Sequence, residues 1–169
     1  MAQSHTISTL LYCFNVADEV LLMKRAQAPN HGLWSPPGGK LRAAAGESPH
    51  ACAAREAREE LGLSLTPTDL RLTGLISEEG GGDAGHWLMF LFEVVPPLFR
   101  LPPPHREGRF GFFRREELSG LALPRTDREM IWPLFWRHRR GFFAARCRVF
   151  KDRPDEWRVE ESRLPASSS

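Results

Sequence analysis

The chain has 169 residues, 41% of them hydrophobic, with 23 Lys plus Arg against 21 Asp plus Glu and a formal net charge of +2. That length suits a single domain over residues 1–164 with a frayed tail at 165–169, and the hydrophobic fraction excludes a disordered chain. No run approaches the roughly 20 uncharged apolar residues of a membrane helix, and Met1–Thr6 lacks the basic start and apolar block of a secretion signal.

Thr6 to Asn15 and Glu19 to Arg25 are apolar runs separated by the polar break Asn15-Val-Ala-Asp18, a pattern that predicts a hairpin. Ala26 to Ala45 reads as loop, punctuated by Pro29, Gly32, Pro36, Pro37, Gly38 and Gly39. The clearest helix signal follows. Ser48 is the candidate N-cap, Pro49 takes the first helical position, and Gly62 lies where the helix should stop. Ala51, Ala53, Ala54 and Ala57 favour helix between them.

Leu70 to Glu79 and His86 to Val95 predict two strands joined through the flexible run Gly80-Gly-Gly-Asp-Ala-Gly85. The Pro-rich segment Pro96–Pro104 leads to a short strand near Arg109–Phe113. Thr126 is expected to cap a helix running to about His138, kinked or divided at Pro133. Phe142–Phe150 and Trp157–Glu161 predict a last hairpin around Asp152-Arg-Pro-Asp155. The sum is a mixed α/β chain dominated by short strands.

Cys13, Cys52 and Cys147 are widely spaced, which fits buried thiols in a reducing compartment and so a cytoplasmic protein. The positive charge is mostly arginine, alternating with acids in Arg55-Glu-Ala-Arg-Glu-Glu60 and Arg114-Arg-Glu-Glu117. Nucleic-acid partners favour unopposed basic residues on one face, so this pattern argues against them. The cluster Arg137-His-Arg-Arg140 sits at a predicted helix end, where cations suit the carbonyl end of the dipole. Oligomeric state is not readable.

Within the helix over Pro49–Leu61, Glu56, Glu59 and Glu60 stand at i, i+3 and i+4 and share one face. Three carboxylates so close repel one another, two of them at the unfavourable carbonyl end. A hard divalent cation such as Mg²⁺ or Mn²⁺ resolves the conflict. Arg55 can orient one carboxylate, and Pro36-Pro-Gly-Gly-Lys40 exposes backbone near the helix start. On spacing alone a solvated Arg–Glu surface face is the better account of the run, and it is the setting of the run that favours the metal.

Gly39-Lys-Leu-Arg-Ala-Ala-Ala-Gly-Glu47 followed by Arg55-Glu-Ala-Arg-Glu-Glu-Leu-Gly-Leu63 resembles the signature of Nudix hydrolases, G-x5-E-x7-R-E-U-x-E-E-x-G-U with U aliphatic. The match is complete from Glu47 onward, but seven residues separate Gly39 from Glu47 where the pattern has five. This insertion near Ala43–Ala45 leaves open where Gly39 and Lys40 sit and what Glu47 does.

The resemblance implies a Nudix fold, a mixed β-sheet sandwiched between helices, here with an extra C-terminal β-hairpin. It implies divalent-cation-dependent hydrolysis of a nucleoside diphosphate linked to another moiety. Glu59 and Glu60 would bind the metal, Glu56 would be a ligand or the base for water, and Arg55 would orient Glu56. The backbone carbonyl of Gly38 or Gly39 would complete the metal shell.

Asn30-His-Gly-Leu-Trp34 with Pro37-Gly-Gly-Lys40 is similar to the MutT-type branch, which acts on oxidised nucleoside triphosphates such as 8-oxo-dGTP. By that similarity Glu107, in His105-Arg-Glu-Gly108, is a further metal contact, and Asp127 faces the purine edge. Asp127 or Thr126 as a plain helix cap is the competing reading. Trp34 and Trp87 are candidates for stacking on a base, and Lys40 for substrate contact. His86 and His105 could touch phosphate or move protons.

The expected activity is thus Mg²⁺-dependent cleavage of nucleoside triphosphates to monophosphate and pyrophosphate. ADP-ribose, nucleotide sugars and dinucleoside polyphosphates are the alternative substrates. A non-catalytic nucleotide-binding module is a third reading, against which the retained Glu56, Glu59 and Glu60 speak.

Overall fold

A computed structural model describes residues 5–80 and 85–167. Among these residues nine strands form two sheets: β1 (His5–Tyr12), β2 (Val20–Arg25), β3 (Trp34–Ser35), β4 (Gly38–Lys40), β5 (Leu70–Glu79), β6 (His86–Val94), β7 (Gly108–Phe113), β8 (Phe142–Arg148) and β9 (Glu156–Arg163). The larger sheet has the order β4-β1-β6-β5-β8-β9 and the smaller β3-β2-β7. Parallel pairs β1–β6 and β5–β8 lie among antiparallel ones, so the large sheet is mixed.

Alternation along the strands builds two cores. Tyr12, Phe14, Val20 and Leu22 enter one apolar cluster, while Leu11, Cys13, Leu21 and Met23 enter the other. Helix α1 (Pro49–Leu61) covers the second cluster with Ala53, Ala57 and Leu61. Helix α2 (Trp132–His138) covers the first with Trp132, Leu134 and Phe135. The sheet is therefore sandwiched between helices, as the resemblance implies.

Local chemistry explains α1. Ser48 Oγ accepts the Ala51 N–H at 3.1 Å, Pro49 begins the helix, and Gly62 ends it in the left-handed region at φ 68°. The cap alone is worth about 1 kcal/mol. No helix among the described residues is long and apolar enough to cross a membrane.

Three expectations change. Strands β1 and β2 are not a hairpin. Both edges of β1 are taken, by β4 and β6, and β2 pairs with β3 and β7 instead. They meet just at the turn, through a Phe14–Val20 bridge, the Leu21 N–H to Cys13 carbonyl bond of 2.8 Å and the Asn15 N–H to Glu19 carbonyl bond of 3.0 Å. The segment Ala26–Ala45 is not all loop, because β3 and β4 add short edges to the two sheets.

Thr126 does not cap a helix. It is itself helical, at φ −60° and ψ −40°, with no side-chain cap bond. The turn over Asp127–Ile131 is widened, with the Trp132 N–H reaching back five residues to the Asp127 carbonyl. Pro133, lacking an N–H, disrupts the regular ladder immediately after it.

The β5–β6 pairing and the C-terminal hairpin β8–β9 form as predicted. In the glycine-rich connection between β5 and β6, Gly81–Ala84 lie outside the described residues, as does the end of the tail, Ser168–Ser169. The hairpin is anchored: Arg125 Nη2 donates to Asp155 Oδ1 at 2.5 Å and to the Phe150 carbonyl at 3.1 Å.

Candidate functional site

Arg55 is the hub of the α1 face. Its Nε and Nη2 donate to the two oxygens of Glu47 at 2.7 and 3.0 Å. Nη1 donates to Glu56 Oε1 at 2.6 Å and to Glu59 Oε2 at 3.3 Å, and Nη2 also reaches the Lys40 carbonyl at 3.1 Å. The fork holds the Glu47 carboxyl down at about 2.

The insertion is absorbed locally. Ala43–Ala45 form one 3₁₀ turn closed by Gly46 at φ 66°, and the Arg42 N–H donates to Glu47 Oε2 at 2.8 Å. Gly39, Lys40 and Glu47 consequently all reach the Arg55 region, which settles what the spacing left open.

The three helix glutamates differ in burial. Glu59 is exposed, Glu56 is mostly covered, and Glu60 is only 6% exposed. Burial first, and then the charges of Glu56 and Glu107, push the Glu60 carboxyl up to about 8. Burial likewise raises Glu56 against the lowering effect of Arg55. The Gly38 N–H donates to Glu60 Oε2 at 3.1 Å.

Strand β4 brings the glycines to this face. Thr9 and Gly39 are register partners flanked by the Leu11 N–H to Pro37 and Leu41 N–H to Ile7 carbonyl bonds. Alternation makes Thr9–Gly39 a hydrogen-bonded pair and turns the backbone groups of Gly38 outward toward Glu60. The Gly39 carbonyl also faces the Cys52 thiol at 3.7 Å.

A Cβ on Gly39 would lie 2.5 Å from Glu56 Cδ, so any side chain here would push the Glu56 carboxylate aside. Gly39→Ala is expected to displace the Glu56 carboxylate. Any turnover should fall about tenfold or more, since small misplacements of catalytic groups are costly. Unchanged steady-state kinetics would contradict the placement.

Glu107 joins from a turn ahead of β7. One ligand-type atom each from Glu60, His105 and Glu107 lie within 4.8 Å of one another. A cavity of about 430 Å³ opens over these groups and over Glu56 and Glu59, with Arg42 and Arg106 also lining it. Four carboxylates around a polar recess can hold a divalent cation, and the arginines can meet phosphate oxygens. Arg42, Arg106 and the closeness of His105 were not readable from spacing, because they arrive from separate segments.

The remaining candidates gather on the α2 side. Register places Thr6, Trp87, Glu78, Cys147 and Trp157 in one row across the sheet. Lys40 Nζ stands 5.4 Å over the Trp87 ring. Trp34 meets Phe113 edge-on at 4.8 Å, and its backbone N–H donates to the Ala122 carbonyl of the loop leading to Asp127.

Burial pushes the Asp127 carboxyl up to about 7, helped by Glu78. Tyr12 Oη and Trp132 Nε1 nearby are buried without a hydrogen-bond partner among the described residues. Glu78 was missed in the sequence, although strand alternation separates it from Glu79 and assigns it to this face.

A second cavity, about 400 Å³, lies elsewhere, beside Glu93, Asp18 and Arg139. Its Arg139 is spent on Glu93 at 3.0 Å and Asp18 at 2.8 Å, an ion-pair network that ties α2 to the sheet.

A family model described as the NUDIX domain matches residues 4–133, leaving β8 and β9 beyond it. The uncharacterized Nudix hydrolase YvcI of Bacillus subtilis is 37% identical over 115 residues, 68% of this chain and 70% of that protein. Among solved structures, the MutT protein of Bacillus halodurans superposes with a TM-score of 0.72 at 23% identity, covering 92% of this chain and 97% of its own. A bifunctional NMN adenylyltransferase/ADP ribose pyrophosphatase from Francisella tularensis gives 0.65 at 16% identity, covering 80% of this chain and 42% of its own. The structural likenesses speak for the fold, which is that of the MutT structures, and the family model and the B. subtilis relative lead to one conclusion: the chain belongs to the Nudix hydrolase family.

Proposed function

We propose that this chain is a Mg²⁺-dependent pyrophosphohydrolase that cleaves nucleoside triphosphates, oxidised purines of the 8-oxo-dGTP kind among them, to monophosphate and pyrophosphate. Mn²⁺ is the expected substitute. The observation that carries the reading is Glu60, a carboxylate buried against the negative charges of Glu56 and Glu107 beside an arginine-lined cavity. Such a cluster suits a divalent cation bound together with a polyphosphate.

The donor set fits a hard cation: Glu59, Glu60 and Glu107 would hold it, with Glu56 as a further ligand or as the base. The outward Gly38 carbonyl is better placed than that of Gly39, which the β1 ladder engages. When bound, the cation neutralises phosphate oxygens and acidifies water. Arg55 fixes Glu56 through Oε1, which leaves Oε2 to receive a proton from the attacking water. The raised carboxyl of Glu56 suits that task. Arg42 and Arg106 draw the polyphosphate in and offset charge on the leaving pyrophosphate.

The base would lie on the α2 side, between Trp34 and Trp87, with Asp127 reading the purine edge and Lys40 above Trp87 contacting substrate. Residues 1–164 would act as one domain with 165–169 as a tail. The buried free thiols of Cys13, Cys52 and Cys147 agree with a cytoplasmic setting.

The test is a turnover panel with Mg²⁺ over nucleoside tri- and diphosphates, 8-oxo-dGTP, ADP-ribose, a nucleotide sugar and a dinucleoside polyphosphate. Fastest turnover of a purine triphosphate supports the reading, and preference for ADP-ribose or a dinucleotide overturns its substrate. Asp127→Ala is expected to raise KM for purine triphosphates about tenfold to a hundredfold with little change in kcat, the signature of lost uniform binding. Equal losses on pyrimidines would remove Asp127 from base reading.

A further inference from the structure

His105 enters the carboxylate cluster from a turn that is rigidly built. His105 and Gly108 exchange backbone hydrogen bonds, N–H to carbonyl in both directions, each 2.9 Å. The Ala26 N–H holds the Glu107 carbonyl at 2.8 Å, tying the turn to the end of β2. Gly108 has no room for a side chain, because a Cβ would meet the Lys24 carbonyl. The turn therefore has one seat, and that seat puts an imidazole nitrogen together with Glu60 and Glu107 inside a span of 4.8 Å.

The Nudix resemblance accounts for the acids here but supplies no histidine. Oxygen ligands alone are indifferent between Mg²⁺ and similar hard cations, whereas an imidazole nitrogen favours first-row transition metals. Glu60 adds a second constraint. It is nearly buried, with the Gly38 N–H on one oxygen and the acids Glu56 and Glu107 for charged neighbours. A cation held there lies within reach of the imidazole on the same side of the cavity.

We propose that His105 is a nitrogen ligand of the metal centre, acting with Glu60 and Glu107, and that it raises the affinity of the centre for Mn²⁺ or Co²⁺ relative to Mg²⁺ above what the carboxylates alone would give. The inference rests on the carboxylate cluster being the metal centre. It differs from a merely electrostatic role, in which a charged imidazolium would sit among the acids without touching metal.

The full chain, stripped of metal and loaded with Mn²⁺ without nucleotide, is examined by electron spin echo envelope modulation. The unaltered protein should show coupling from a directly bound imidazole ¹⁴N, replaced by the ¹⁵N pattern after histidine labelling. His105→Gln should abolish the coupling and lower the Mn²⁺-to-Mg²⁺ affinity ratio about tenfold. The labelling arm needs no variant, so a folding defect cannot mask the answer.

Absence of nitrogen coupling in the unaltered protein, or its survival in His105→Gln, overturns the proposal. Failure of the underlying site reads differently: Glu60→Gln would then leave Mn²⁺ affinity unchanged.

Discussion

Glu60→Gln is expected to lower kcat about a thousandfold while the chain stays folded, because metal and transition-state charge stabilisation are worth several kcal/mol. The amide retains an oxygen for the Gly38 N–H, which donates to Glu60 at 3.1 Å. It replaces a carboxyl that is only 6% exposed, faces Glu56 and Glu107 and is raised to about 8, so that near neutrality the metal-free side chain is already mostly neutral, like the amide. The metal-free variant should therefore be about as heat-stable as the parent chain. The rise in melting temperature that a divalent cation gives the parent should shrink sharply, since stabilisation by a ligand follows its affinity. Calorimetry with and without Mg²⁺, beside initial rates, checks both halves. A variant with full turnover, or with an undiminished metal-induced shift, would remove Glu60 from the centre.

Arg55→Ala should have the largest effect on stability. Its guanidinium is 10% exposed and its partners Glu47 and Glu56 are each 12% exposed, so truncation leaves two covered carboxylates without their cation. Breaking such a pair costs about 3–5 kcal/mol, a drop of roughly 6–20 °C in melting temperature for a chain of this size. Turnover should also fall about a hundredfold, as Glu56 loses the bond that aims it. Arg55→Lys should recover part of the stability but not the two-pronged grip on Glu47.

The pH profile gives a distinct signature. The Glu47 carboxyl is lowered from 4.5 to about 2 in the folded chain, chiefly by Arg55. A lowered acid contributes stability above its unfolded value and loses it as pH falls through the folded one. The gap between parent and Arg55→Ala should therefore be widest near neutrality and close between about pH 4.5 and 2. A gap independent of pH in that window would mean that Arg55 stabilises by contact area and not by charge.

The parts legible in the sequence are those with local causes. Ser48, Pro49 and Gly62 mark both ends of α1 because caps act within a turn, and the same helix carries Arg55, Glu56, Glu59 and Glu60 at fixed spacing. The pairing of β8 with β9 was readable from the apolar run and the Asp152–Asp155 break. Where partners come from afar, the pattern is silent. Nothing in residues 6–25 says that β1 will spend both edges on β4 and β6, and β3 and β4 are too short and too rich in Gly, Ser and Trp to announce themselves.

The site divides in the same way. Spacing places three glutamates on one face and predicts it exposed, yet Glu60 is buried, because β4 and the His105–Gly108 turn close over it from other parts of the chain. The contact between Arg125 and Asp155 joins the Asp127 loop to the C-terminal hairpin across thirty residues, and no periodicity encodes it.

On the proposed reading, the Glu56, Glu59, Glu60 and Glu107 cluster drives metal-dependent cleavage of a nucleoside triphosphate between its α- and β-phosphates. Phosphorus NMR of the products formed from a purine triphosphate in ¹⁸O-water, with and without chelator, tests it most directly. Monophosphate and pyrophosphate should form in equal amounts, one ¹⁸O carried by one of them, with no reaction once the metal is removed. Release of inorganic phosphate and a diphosphate, or turnover that survives chelation, would contradict it.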